Sequence, residues 1–109
     1  MNNQNTDKKI LSMLGLAARA GKIASGEFQT ETAVKSGTAC LVIVAEDASN
    51  NTKKLFQDKC SFYKVPVYVL GSKEELGHAI GKEFRASLAV LDQGFADAVM
   101  KKVEQSSQV

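Results

Sequence analysis

The sequence is poor in the residues that most active sites and metal centres use. In 109 residues there is one histidine, His78, and there are two cysteines, Cys40 and Cys60. One histidine excludes a multi-histidine metal centre within the chain, and two cysteines without a CxxC spacing make neither a zinc site nor a disulfide framework. The compartment they suit is the reducing cytoplasm. Tryptophan is absent, and the single proline is Pro66. No Walker loop and no GxGxxG is present. The apolar run at Leu41 to Ala45 is far short of the ~20 residues that span a bilayer, and the opening MNNQNTDKK lacks the charged-then-apolar order of a signal peptide. Charge of one sign is missing too. Lys and Arg total 14 against 12 Asp and Glu, a net +2, so any contact with phosphate must come from local clustering. The length allows one domain over residues 1–109, with 1–5 and 105–109 expected to fray. There is no linker, internal repeat or low-complexity segment.

What is present is an alternation of helical and strand patterns. Ile10, Leu11, Leu14, Ala17 and Ala18 form one helical stripe between a cap at Thr6 and a stop at Gly21. Lys22 to Ser25 is a brief strand, and Gly26 opens a second, weakly amphipathic helix that ends at Gly37. The β-branched run from Cys40 to Ala45 predicts a strand covered on both faces, hence a parallel-type centre. The polar stretch from Glu46 to Asn51 is rich in caps, with Asp47 or Ser49 heading a third helix whose stripe is Leu55, Phe56, Cys60 and Tyr63. Val65 to Leu70 is the next strand. Ser72 and Glu75 form a capping box for a short helix reaching Ile80. Leu88 to Leu91 is another strand, and Phe95, Ala96, Val99, Met100 and Val103 give the clearest helical stripe. Together these predict an α/β protein: a three-layer α/β/α sandwich with a small mixed four-stranded sheet. Ligands of open α/β sheets meet loops at one rim, here those around Gly26, around Asp47 and from Gly81 to Ser87.

Two segments carry the most specific chemistry. Gly26 directly before a helix lets another backbone approach, and the helix start offers unpaired amides and partial positive charge, which suit a phosphate. Gln29 and Thr30 project from its first turn. Against this, Glu27 already supplies the negative charge that the dipole favours, and a plain loop-to-helix junction explains the same residues. The second segment, Lys82-Glu83-Phe84-Arg85-Ala86-Ser87, combines cations, an aromatic and small residues. Such a surface can pack unstacked bases while Arg or Lys holds phosphates. The alternative is an exposed connection with Phe84 tucked into the core. Arg19, Lys22 and Lys35 flank the Gly26 junction in sequence. The pairs Lys8-Lys9, Lys53-Lys54 and Lys101-Lys102 read as solvated helix faces. Glu46-Asp47 is weak as a metal site, His78 has no partner at a suggestive spacing, and Cys40 and Cys60 read as inert apolar fillers.

The segments LGLAARAGKIASGEFQTETAVKSGTACLVIVAEDAS and KVPVYVLGSKEELGHAIGKEFRASLAVLDQGFA, in this order, resemble the kink-turn-binding ribosomal protein superfamily of ribosomal L-seven-Ae, L-thirty-e, S-twelve-e and Gadd-forty-five, and within it the small bacterial YlxQ-type branch. The resemblance covers about Ile10 to Val103. It implies a non-catalytic RNA-binding module without cofactor, acting as a monomer on structured RNA such as ribosomal RNA or another kink-turn element. Carried over by position, the RNA-binding residues are Ser25, Gly26, Glu27, Phe28, Gln29, Thr30 and Thr32 in one segment and Glu83, Phe84, Arg85, Ala86 and Ser87 in the other, with Lys22 and Lys35 steering phosphates. Where many members carry Asn, Glu and Lys, this sequence has Phe28, Gln29 and Thr32. A neutral amide in place of a carboxylate makes each hydrogen bond to guanine weaker by about half, and a lost lysine flattens the salt dependence by about one unit. Phe28 either stacks on a base or marks a surface that meets protein, such as ribosomal proteins or translation factors.

Overall fold

The computed structural model describes residues 4–106. The fraying expected for residues 1–3 and 107–109 falls outside them. Nine elements follow in order: α1 (Gln4–Arg19), β1 (Ile23–Ser25), α2 (Glu27–Ser36), β2 (Leu41–Val44), α3 (Asn50–Tyr63), β3 (Val67–Val69), α4 (Lys73–Ala79), β4 (Ser87–Val90) and α5 (Gln93–Ser106). The sheet order is β1-β4-β2-β3. β4 runs antiparallel to both β1 and β2, while β2 and β3 are parallel. Helix contacts fall into two groups, α1 with α4 and α5, and α2 with α3, which gives the expected three layers around a mixed sheet.

Each strand of the sheet centre is apolar on both faces because both faces are covered. Leu41, Val42, Ile43 and Val44 in β2 and Leu88, Ala89 and Val90 in β4 are all buried, and Ile10, Leu14, Val34, Phe56, Leu76 and Val99 close the two outer layers. The β2 run was expected to mark a parallel centre. It is parallel to β3 alone, because a continuous apolar run records burial and not strand direction.

Local signals decide most boundaries. The capping box forms as predicted, with Ser72 Oγ accepting from the Glu75 amide at 3.0 Å and Glu75 Oε1 accepting from the Ser72 amide at 2.9 Å. Three expectations need correction. α1 begins at Gln4, so Thr6 lies inside the helix rather than at its start. Tyr63 leaves the α3 stripe: at the last turn it is 40% exposed and packs edge-on against Phe62, with ring centroids 4.9 Å apart. β3 is shorter than the apolar run because Pro66 has no amide to donate; its carbonyl still accepts from the Val42 amide at 2.9 Å. Cys60 is an inert filler as expected, since burial pushes its thiol up to about 11 and keeps it protonated at neutral pH.

Candidate nucleic-acid interface

Strand directions gather the predicted segments at one rim. β1, β2 and β3 point the same way, so their last residues and the first residue of β4 lie together. Backbone hydrogen bonds stitch this rim: the Gly26 amide donates to Ser87 O (3.0 Å), the Ala45 amide to Ala86 O (2.8 Å), the Glu46 amide to Gly71 O (2.7 Å) and the Arg85 amide to Lys73 O (3.0 Å). Residues 25–30 and 83–87, far apart in sequence, thereby become neighbours.

Three helices start at this rim, and their starts differ. α3 is capped by Ser49, whose Oγ accepts from the Thr52 amide at 3.1 Å. α4 has its capping box, and Asp47 Oδ1 accepts from the Lys73 amide at 2.8 Å. α2 begins at Gly26 with no side-chain cap, and among the described residues no group accepts from the amides of Glu27, Phe28 or Gln29. Gly26 has φ 89° and ψ 159°, a conformation that only glycine adopts freely. A Cβ built there meets nothing within 4 Å, so the space beside Gly26 is open.

The remaining site residues divide by depth. Phe28 is 81% exposed and Phe84 57% exposed, so Phe84 is not tucked into the core. Gln29, Thr32, Glu27 and Glu83 are exposed, and Ser25, Arg85 and Ala86 half-buried. Glu27 Oε1 accepts from Thr52 Oγ1 at 3.5 Å, which ties its carboxylate to the start of α3. Arg85 Nε donates to Ser25 Oγ at 3.0 Å and Nη1 to Phe84 O at 2.7 Å, so the guanidinium is braced between the two segments while Nη2 engages no group among the described residues. Thr30 and Ser87 are a correction. Both are buried, and Ser87 Oγ donates to Thr30 Oγ1 at 3.4 Å. Thr30 faces the sheet instead of projecting outward; the pair ties the two segments together from behind.

Lys22 and Lys35 are also displaced from their expected place. β1 climbs to the rim and α2 descends from it, so both lysines lie at the far end, roughly 13 Å of strand or helix from Gly26. Lys35 is further engaged with Glu31 at 3.3 Å. Sequence reasoning missed two supports. Asp47 bridges to α4 rather than capping α3, a contact across 26 positions that no local pattern encodes. Gly77 lets the 83–84 segment lie directly on α4: a Cβ there would stand 2.5 Å from Glu83 O. Among the described residues no cluster of three His, Cys, Asp or Glu could hold a metal ion, and no helix is long and apolar enough to cross a membrane.

The model of the ribosomal protein L7Ae/L30e/S12e/Gadd45 family matches residues 8–100. The chain belongs to this family. Its members are non-catalytic, and so is this one. It is 46% identical over 92 residues to the RNA-binding protein YlxQ of Bacillus subtilis, covering 84% of this chain and 92% of the relative. The large ribosomal subunit protein eL30 of Tetrahymena thermophila is 35% identical over 94 residues, covering 84% of this chain and 90% of that protein. A solved structure from Bacillus halodurans C superposes with a TM-score of 0.86 at 45% identity, covering 88% of this chain and 97% of the other. The family match spans both rim segments, residues 25–32 and 83–87, and all four strands.

Proposed function

We propose that this chain is a non-catalytic, monomeric, cytoplasmic RNA-binding protein that seats a sharply bent, kink-turn-like RNA, such as an element of ribosomal RNA, on the rim around Gly26. The observation that carries the reading is the contrast among the three helix starts: of α2, α3 and α4, only α2 has no side-chain cap, which leaves the amides of Glu27, Phe28 and Gln29 all without a protein acceptor among the described residues. The positive end of α2 faces the phosphates of the bend. Gln29, exposed and without a partner among the described residues, reads a guanine edge, and its amide both donates and accepts. Arg85 presents Nη2 to the backbone. Phe28 and Phe84 are exposed aromatics on the two segments and offer stacking surfaces to unpaired bases. No cofactor takes part. Relatives described as RNA-binding support the class of ligand.

A gel shift with a short RNA carrying an internal loop flanked by sheared G·A pairs tests this. The parent protein shifts the RNA and Arg85→Ala does not at the same concentration; equal binding by both removes Arg85 from the site. The exposure of Phe28 favours a second reading, in which the rim docks ribosomal proteins or translation factors. Salt separates the two: phosphate contacts weaken steeply with added salt, an apolar interface much less.

A further inference from the structure

The lysines nearest Gly26 in sequence point away from the rim, whereas two pairs read as solvated helix faces reach its level. β1 arrives at the rim at Ser25, and α1 feeds the other end of β1 through residues 20–22, so α1 must start at rim level and descend. β4 leaves the rim at Ser87, and α5 returns from its far end. The two helices pack against each other, and this chain order runs them in opposite directions, with the first turns of α1 and the last turns of α5 at the same end. α1 has 16 residues, ~24 Å, beside a three-residue strand of ~10 Å, so its first turns overshoot the sheet on the rim side. That end carries Lys8, Lys9, Lys101 and Lys102.

These four differ from three lysines of the other layer. Lys35, Lys54 and Lys59 are matched to Glu31, Asp58 and Glu31 at 3.3, 3.2 and 3.8 Å. No carboxylate pairs with Lys8, Lys9, Lys101 or Lys102 among the described residues. Asp97, one turn before Lys101 on α5, accepts from Gln93 Nε2 at 2.7 Å instead. Neither lysine pair sits in a terminal turn where the helix dipole favours a cation. Asp7 and Glu104 are the acids on the same helix ends, which leaves the cluster positive in a chain whose net charge is only +2.

We propose that Lys8, Lys9, Lys101 and Lys102 form a second, sequence-independent contact surface that holds the phosphate backbone of an RNA stem running from the bend across the α1–α5 face. The inference rests on the RNA-binding reading of the rim. Base edges are read at α2, and the stem is held electrostatically where no base is touched.

The test uses fluorescence anisotropy with two RNAs sharing one internal loop, one with stems just long enough to close it and one with a stem extended by about a full helical turn, titrated at several salt concentrations. In the quadruple variant Lys8→Gln, Lys9→Gln, Lys101→Gln, Lys102→Gln, the long-stem RNA should bind at least tenfold more weakly, with a log–log salt slope shallower by about two to four units, while the short-stem RNA binds as it does to the parent. Unchanged affinity and slope on the long-stem RNA overturns the surface, and so does an equal loss on both RNAs. Gln29→Ala must weaken both RNAs alike. A parent that binds neither RNA overturns the reading of the rim itself, and the surface with it.

Discussion

The starts of α2 and α4 stand on the same rim and are built in opposite ways. α4 is a seven-residue helix with both capping-box bonds plus the Asp47 carboxylate on its first amide. The amides of Lys73 and Glu75 there are already claimed by Asp47 and Ser72. α2 has no side-chain cap and a glycine held at φ 89°. A capping side chain contributes about 0.5–2 kcal/mol, so α2 forgoes stabilisation that its neighbours α3 and α4 both take. Short helices need caps because they are marginal alone. α2 manages without one because Thr30, Ala33 and Val34 are buried against the sheet and the Gly26 amide is held by Ser87 O. Packing holds α2, and its amides stay available.

The comparison is broken most sharply at Gly26. If capping dominated, Gly26→Asp would stabilise α2, since Asp is among the best N-cap residues. The backbone there lies in a region that costs any other residue about 1–3 kcal/mol, which outweighs the cap. Denaturant unfolding should therefore show a net loss of about 1–2 kcal/mol, and RNA binding should fall by about a hundredfold or more as a carboxylate replaces the open space there. A stabilised, binding-competent variant would end the assignment. Ser72→Ala is the reciprocal experiment. It should destabilise the protein by about 1 kcal/mol and leave the RNA affinity within twofold, because the RNA is assigned to the start of α2 and not to that of α4. Weakened RNA binding on losing this cap would show that both helix starts serve the ligand.

How much of this was legible in the sequence follows from the range of each interaction. The α4 capping box spans three residues and was visible, as were the α5 stripe and the strand run at Leu41–Val44. The burial of Thr30 was not: α2 has few apolar residues, so its periodicity does not say which polar residue faces the sheet, and the partner that settles it is Ser87, 57 positions away. The misplacement of Lys22 and Lys35 has the same root. Two segments that meet at a tight junction diverge from it, so residues that flank Gly26 in sequence at a distance lie far from it in space. Topology, which single residues do not encode, moved the relevant cations to the ends of α1 and α5. The sequence also showed a glycine at the head of α2 without showing why it must be one. The combination of φ 89° and ψ 159° favours glycine there even without a ligand, so its presence alone is not evidence of RNA.

Gln29 therefore tests the site more cleanly, though with the smallest effect. It lies in the first turn of α2, exposed, with no protein partner for its side chain among the described residues. Replacing it with alanine removes no packing and improves helix propensity slightly, so stability should stay within about 0.5 kcal/mol of the parent. If its amide reads a base edge, one neutral hydrogen bond is lost, about 1 kcal/mol, and the affinity falls roughly fivefold. The salt slope should not change, because no charge is removed. Isothermal titration at two salt concentrations separates these outcomes. A fivefold loss with constant slope places base reading at the uncapped helix; an unchanged affinity means that α2 contributes its amides alone and that specificity lies with Phe84, Arg85 and the segment that faces it.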